Sequence, residues 1–362
     1  MSIKKTTKKE VETEGADEKG TLDLVKKAII KKYGDVIGTL GDVGDHVIVP
    51  TISTGCLSLD VALGRGGMAF GRIYEIFGPN SGGKSTLADN VVIQAQRRGL
   101  KALYIDAECS KDPELFKTYG GDTSALTLVQ GHDGEENLDI LEKLLKTGEY
   151  KVAVVDSVSA LIPRVEAEAD IEEQQMGLHA RLMSKALRKI TPITNQNGVL
   201  LIFINQVRLK IGAYGNPETT TGGEALNFYA TGRISVRGPE VRSRRIEGPD
   251  GEVMGHKTLF EVVKNKLSAP FRKAEVNLIY GKGYDVYWEV LEQAAGLGVV
   301  DKAGSWYKYE GKNFAQGELN AVTFLKDPEN KEMYATITKE VISQTGLKEA
   351  YELSLNPGPI YT

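Results

Sequence analysis

Gly78-Pro79-Asn80-Ser81-Gly82-Gly83-Lys84-Ser85 fits the pattern G-x-x-x-x-G-K-[ST] in full. Glycines let backbone N–H groups converge on phosphate oxygens where a Cβ would collide. An apolar run precedes the loop and an amphipathic stretch follows it, so bound phosphates would face the positive end of a helix. In such a loop Lys84 neutralises the β- and γ-phosphates, and the Ser85 hydroxyl ligates Mg²⁺. ATP is therefore expected along Gly78–Thr86, with Mg²⁺ beside it. The bland alternative, a glycine-rich strand-to-helix turn with an incidental lysine, leaves this context unexplained.

Outward from the loop, short apolar runs alternate with longer amphipathic stretches. The runs are Arg72–Phe77, Ala102–Asp106, Leu126–Gln130, Val152–Asp156 and Val199–Asn205; the stretches include Ser85–Arg98, Glu136–Leu145 and Gly177–Gln196. This alternation predicts an α/β fold, a mostly parallel central sheet flanked by helices. Asp156 ends one run, placed to hold Mg²⁺ or its water. A strand-end cap is its ordinary role, and the phosphate loop favours the metal. Glu108 and Asp106 end another strand, and either could polarise the water that attacks a γ-phosphate. Spacing does not choose between them.

The chain has 362 residues, 41% hydrophobic and 26% charged, with two cysteines and a formal net charge of −4. Cys56 and Cys109 lie in no C-x-x-C or Cys/His cluster, which argues against structural zinc and for a reducing, cytoplasmic compartment. No run approaches a membrane span, and the N-terminal lysines precede no apolar signal segment. The negative balance argues against a broad basic face for nucleic acid, so any such contact needs a local cationic lining.

Residues 1–20 are polar and charged, the composition of a disordered tail. Leu22, Val25, Ile29 and Tyr33 then follow helical spacing with a stop at Gly34, and this helix with its linker fills 21–50. The core is expected over 51–284. A small α+β domain follows over 285–350, with helices at Trp288–Ala295 and Lys331–Thr345, and a flexible end over 351–362.

Longer stretches resemble one family, bacterial RecA: Thr51–Gly55, the phosphate loop, Tyr104–Glu108, Val155–Val158, Met176–Leu178, Leu201–Gln206, GNPETTTGG over 215–223, and VVKNK over 262–266 followed by Ala269–Phe271. The resemblance runs in order from about residue 21 to about 325. It implies an ATP-dependent recombinase that forms helical filaments on single-stranded DNA, hydrolyses ATP when DNA is bound, and exchanges strands with a homologous duplex. Partners implied with it are single- and double-stranded DNA, further copies of the chain, recombination mediators and an SOS repressor, with no membrane.

The resemblance also implies residue roles. Glu108 takes the catalytic glutamate's position, and Gln206 that of a γ-phosphate sensor. Lys264 and Lys266 resemble lysines that reach into the neighbouring subunit's ATP site, and the 21–34 segment a polymerisation helix. Asp112 stands where the family contacts adenine, and Tyr280 matches an aromatic near the nucleotide across the interface. Two DNA loops are implied, over 166–175 with Met176 and Arg181, and over 207–223. Arg181, Arg188, Arg208, Ser184, Thr221, Gly222 and Gly223 supply the phosphate contacts, and Met176 an apolar wedge between bases.

Some positions depart from the family. The second loop is one residue shorter than in familiar members and carries Tyr214. Leu115 replaces an aromatic near adenine. Leu259 and Glu261 stand where familiar members carry duplex-binding cations, with Arg237, Arg242, Arg244 and Arg245 nearby as replacements. Two other readings share the phosphate loop. GNPETTTGG and the N-terminal helix weigh against a hexameric motor, and Glu108 against a non-catalytic, ATP-switched DNA-coating scaffold.

Overall fold

The computed structural model describes residues 14–34, 37–38, 49–170, 177–209, 218–238, 244–248 and 250–347. They fall into two units, one ending at Val49 and one beginning at Pro50. In the first, helix α1 spans Glu14–Tyr33 and stops at Gly34, whose φ of +79° suits a glycine. The helix starts before residue 21, so 14–20 are helical rather than part of a tail. Leu22, Leu24, Val25 and Tyr33 are exposed.

The second unit opens with β1 (Thr51–Ile52), α2 (Leu57–Leu63) and β2 (Met68–Ala69). There follow β3 (Ile73–Gly78), α3 (Lys84–Arg97), β4 (Lys101–Asp106), α4 (Pro113–Thr118), β5 (Leu126–Val129), α5 (Gly134–Lys146) and β6 (Tyr150–Asp156). Next come α6 (Arg164–Glu168), α7 (Leu178–Gln196), β7 (Leu200–Leu209), β8 (Glu218–Thr220), α8 (Ala225–Tyr229) and β9 (Gly232–Arg237). The sheet closes with β10 (Arg245–Glu247), β11 (Val253–Asn265), β12 (Lys273–Ile279) and β13 (Gly283–Tyr284).

Strands β9-β3-β7-β6-β4-β5 run parallel, the α/β sheet expected from the alternation. An antiparallel edge, β11-β12-β13, continues from β9. All six residues of β3 are buried, as a strand covered on both faces requires. Leu103, Val155, Leu187, Leu201 and Phe203 share the core between the sheet, α5 and α7. Strand β7 runs four residues beyond the expected Asn205, because its end pairs antiparallel with β8.

Glu75 carries a charge into the middle of this apolar sheet, on β3. Glu75 is fully buried, accepting from Asn205 Nδ2 at 2.8 Å and Arg233 Nε at 2.5 Å, with the guanidinium over the Phe77 ring. Glu75→Ala would strand a largely buried guanidinium, so denaturant unfolding should show a loss of about 3 kcal/mol or more. A loss below about 1 kcal/mol would mean that the pair stabilises nothing.

After the sheet, α9 (Val286–Leu297), the antiparallel β14 (Asp301–Ala303), β15 (Trp306–Tyr309) and β16 (Lys312–Gln316), α10 (Glu318–Lys326) and α11 (Lys331–Gln344) form a small lobe. Its core includes Leu57 from α2. The buried Glu289 on α9 collects three donors in its Oε1: Ser58 N at 2.7 Å, Ser58 Oγ at 2.6 Å and Cys56 Sγ at 2.9 Å.

Candidate active site

The C-terminal ends of the parallel strands meet at one edge, with Gly78 in register with Gln206 and Asp106 with Asp156. Ligands of parallel sheets bind at such edges. The phosphate loop turns there because Gly78 permits close approach: a Cβ on it would lie 2.1 Å from the Val236 carbonyl oxygen. Gly83, at φ +96°, caps α3 and turns the chain into the helix. Lys84 Nζ donates to the Pro79 carbonyl at 2.6 Å and so spans the loop. Burial lowers its pKa, while the carboxylates of Asp156 and Glu108 raise it.

Asp156 Oδ2 accepts from Ser85 Oγ at 2.8 Å. Burial pushes this carboxyl's pKa up, while the Tyr104 and Ser85 hydroxyls hold it down. Among the described residues no group of three or more His, Cys, Asp or Glu could cage a metal. Ser85 and Asp156 offer two hard oxygens beside the phosphate loop, a partial ligand set that Mg²⁺ would complete with phosphate and water. The residues fit the ion.

The geometry separates Asp106 from Glu108. Asp106 is buried and accepts from Ser110 N and Lys111 N, each at 3.1 Å, and from Gln130 Nε2 at 2.9 Å. It folds the turn that follows β4. Glu108, on that turn, is exposed; its Oε1 accepts from Ser157 Oγ and, at 3.3 Å, from Gln206 Nε2. Lys84, Ser85, Asp156, Glu108 and Gln206 thus gather at one edge of the sheet.

A cleft of about 410 Å³ adjoins the loop, lined by Ser81–Thr86 and by Leu115, Tyr119, His256, Leu278, Tyr280 and Gly281. Tyr280, just after β12 on the same sheet as β3, therefore borders its own chain's phosphate loop. Asp112 does not line the cleft; its Oδ1 caps α4, accepting from Glu114 N at 2.8 Å and Leu115 N at 3.1 Å. Lys264 Nζ reaches the carbonyls of Asn227 and Phe228, and Lys266 Nζ that of Phe228 at 3.1 Å. Neither contacts its own phosphate loop in these bonds.

Of the DNA residues, Met176 lies outside the described residues, as do 210–217 with Tyr214. Arg181, Ser184 and Arg188 lie on α7 at spacings of three and four, hence along one face. Arg208 Nε donates to Thr221 Oγ1 at 3.3 Å. Gly222 and Gly223, at φ +90° and +73°, pack against Met183 and Ala180 of α7, which draws the second loop to the helix bearing Arg181. Arg237 pairs with Glu218 through Nη1 and Nη2 and is no free cation for a duplex. Arg242 lies outside the described residues, and Arg245 is exposed on β10.

Sequence reasoning missed Tyr119, His256 and Leu278. Tyr119 had a signal, four residues after Leu115 on the same helical side. His256 had none. It meets Tyr280 diagonally across β11 and β12, with Nδ1 3.1 Å from the phenol oxygen.

A phosphate loop, strand-end carboxylates and a parallel sheet define a P-loop nucleoside triphosphatase. Residues 20–285 match the RecA N-terminal domain and 288–346 the RecA C-terminal domain. The chain is 45% identical over 325 residues to the Protein RecA of Syntrophobacter fumaroxidans, covering 89% of this chain and 90% of that one. It is 42% identical over 335 residues to the Protein RecA of Lactobacillus acidophilus, covering 92% and 90%. The chain belongs to the RecA family and is a DNA-dependent ATPase of homologous recombination and repair.

Proposed function

We propose that the chain polymerises on single-stranded DNA as a helical filament whose grip follows the state of its nucleotide, and that it then pairs the strand with a homologous duplex. The observation that carries this reading lies on one strand. Gln206 of β7 touches Glu108, and Arg208, two residues along, touches Thr221 of the second DNA loop. Two residues of strand span roughly 7 Å. A side-chain amide that shifts when the γ-phosphate leaves would therefore move the segment that holds DNA.

In this reading the glycine amides and Lys84 bind the phosphates, and Ser85 and Asp156 hold Mg²⁺. The ion, when bound, neutralises charge on the phosphate oxygens. Glu108 accepts a proton from water as its oxygen attacks the γ-phosphorus and the bond to ADP breaks. Lys264 and Lys266 serve the nucleotide of an adjoining copy, which makes turnover depend on assembly. The exposed apolar residues of α1 support such self-association. Arg181, Arg188 and Arg208, repeated in every copy, build a cationic axis from a protomer of net charge −4. Mediators that load the filament, an SOS repressor as client and a cytoplasmic location go with the same reading; among the described residues no helix is long and apolar enough to cross a membrane.

Electron microscopy with ATP, magnesium and single-stranded DNA tests it. Open helical filaments that exchange strands with a homologous duplex are expected. Closed rings would favour a motor, and filaments without ATP turnover a scaffold.

A further inference from the structure

Tyr104 lies on β4, two residues before Asp106, and is 1% exposed. Its phenol donates to Asp156 Oδ2 at 2.8 Å, the same oxygen that accepts from Ser85 Oγ at 2.8 Å. Two donors on one carboxylate oxygen fix the rotation of the carboxylate plane and direct its other oxygen.

The phenol is itself held from behind. Lys111 Nζ lies 4.1 Å from the centre of the Tyr104 ring and pairs with Asp89. Both ends of that pair are nearly buried, with side chains 10% and 9% exposed. Asp89 stands on α3 four residues after Ser85, one helical turn on. The contacts therefore close a ring: Ser85 to Asp156, to Tyr104, to Lys111, to Asp89, and back along the helix to Ser85.

Stability does not account for this arrangement. A buried ion pair loses hydration at both ends, and apolar side chains of similar volume often serve as well or better. A tyrosine hydroxyl on a carboxylate likewise adds nothing to packing that a phenylalanine ring lacks. Local rules broken inside a core point to a site.

We infer that Tyr104 is a positioning residue for the metal-binding carboxylate, its hydroxyl setting the orientation of Asp156 while the Lys111–Asp89 pair clamps its ring. The inference rests on the reading of Ser85 and Asp156 as Mg²⁺ ligands. Magnesium demands near-octahedral oxygens at about 2.0–2.1 Å, so a carboxylate free to rotate binds it less well. Partners that orient metal ligands change metal affinity by roughly tenfold or more.

Tyr104→Phe removes one oxygen and keeps the ring. Binding of a fluorescent ADP analogue to the full chain is followed as MgCl₂ is raised, for the wild type, Tyr104→Phe and Asp156→Asn, with EDTA as the baseline. The magnesium midpoint of Tyr104→Phe should rise roughly tenfold while its affinity in EDTA stays that of the wild type. An unmoved midpoint overturns the inference, as does an equal loss in EDTA, which would mean a damaged cleft. Asp89→Leu combined with Lys111→Leu should move the midpoint the same way, and no shift there overturns the clamp. If Asp156→Asn keeps the wild-type magnesium response, the assignment of the metal ligands fails, and the role of Tyr104 with it.

Discussion

Lys84→Ala should abolish nucleotide-dependent assembly on single-stranded DNA and slow ATP turnover by roughly a hundred- to a thousandfold or more. The glycine amides of the loop survive the substitution, and so does α3 behind them, because alanine is a good helix residue. What goes is the ammonium group, and with it the charge-assisted bonds to the β- and γ-phosphates. Those bonds are stronger here than in water, since Lys84 is 8% exposed. Light scattering with oligonucleotide and ATP, beside a phosphate-release assay, reads both effects. Wild-type assembly at ordinary ATP concentration would show that the lysine does not bind the nucleotide.

Glu108→Ala should separate what Lys84→Ala loses together. Assembly is expected to persist while turnover falls by roughly a hundred- to ten-thousandfold, the range for removing a general base. The carboxylate is exposed, so its removal opens no cavity. Ser157 and Gln206 each lose an acceptor that water can replace. Filaments formed with ATP should then outlast those of the wild type, because the step that releases them is blocked. A variant that hydrolyses ATP at the normal rate would take Glu108 out of the mechanism.

The parallel half of the sheet was legible because its strands are continuous apolar runs and its helices keep a 3.6-residue period. Arg72–Phe77 and Val152–Asp156 lie within one or two residues of β3 and β6. The antiparallel edge was not. Its strands mix charges with apolar residues, as in Val253–Asn265, and which strand neighbours which is set by pairing distant in sequence. The site divides in the same way. Lys84, Ser85 and Asp156 sit at motif positions and strand ends. By contrast, the difference between Asp106 and Glu108 depends on three donors from residues 110, 111 and 130 closing on one carboxylate. His256 becomes a neighbour of Tyr280 only once β11 and β12 pair. That Tyr280 borders its own chain's phosphate loop likewise follows only from the folded sheet.

Glu289 gives the small lobe a further property. A single oxygen takes a thiol, a hydroxyl and a peptide N–H from a tripeptide more than two hundred positions upstream, and Leu57 fills a gap in the lobe's interior. The appendage is thus finished by residues that precede the ATPase sheet in the chain. Expressed from residue 285 onward, it would begin with an uncapped acid and a missing wedge. It is not a module to be cut off and studied alone, and grafting it onto another ATPase would require carrying residues 56–58 along with it.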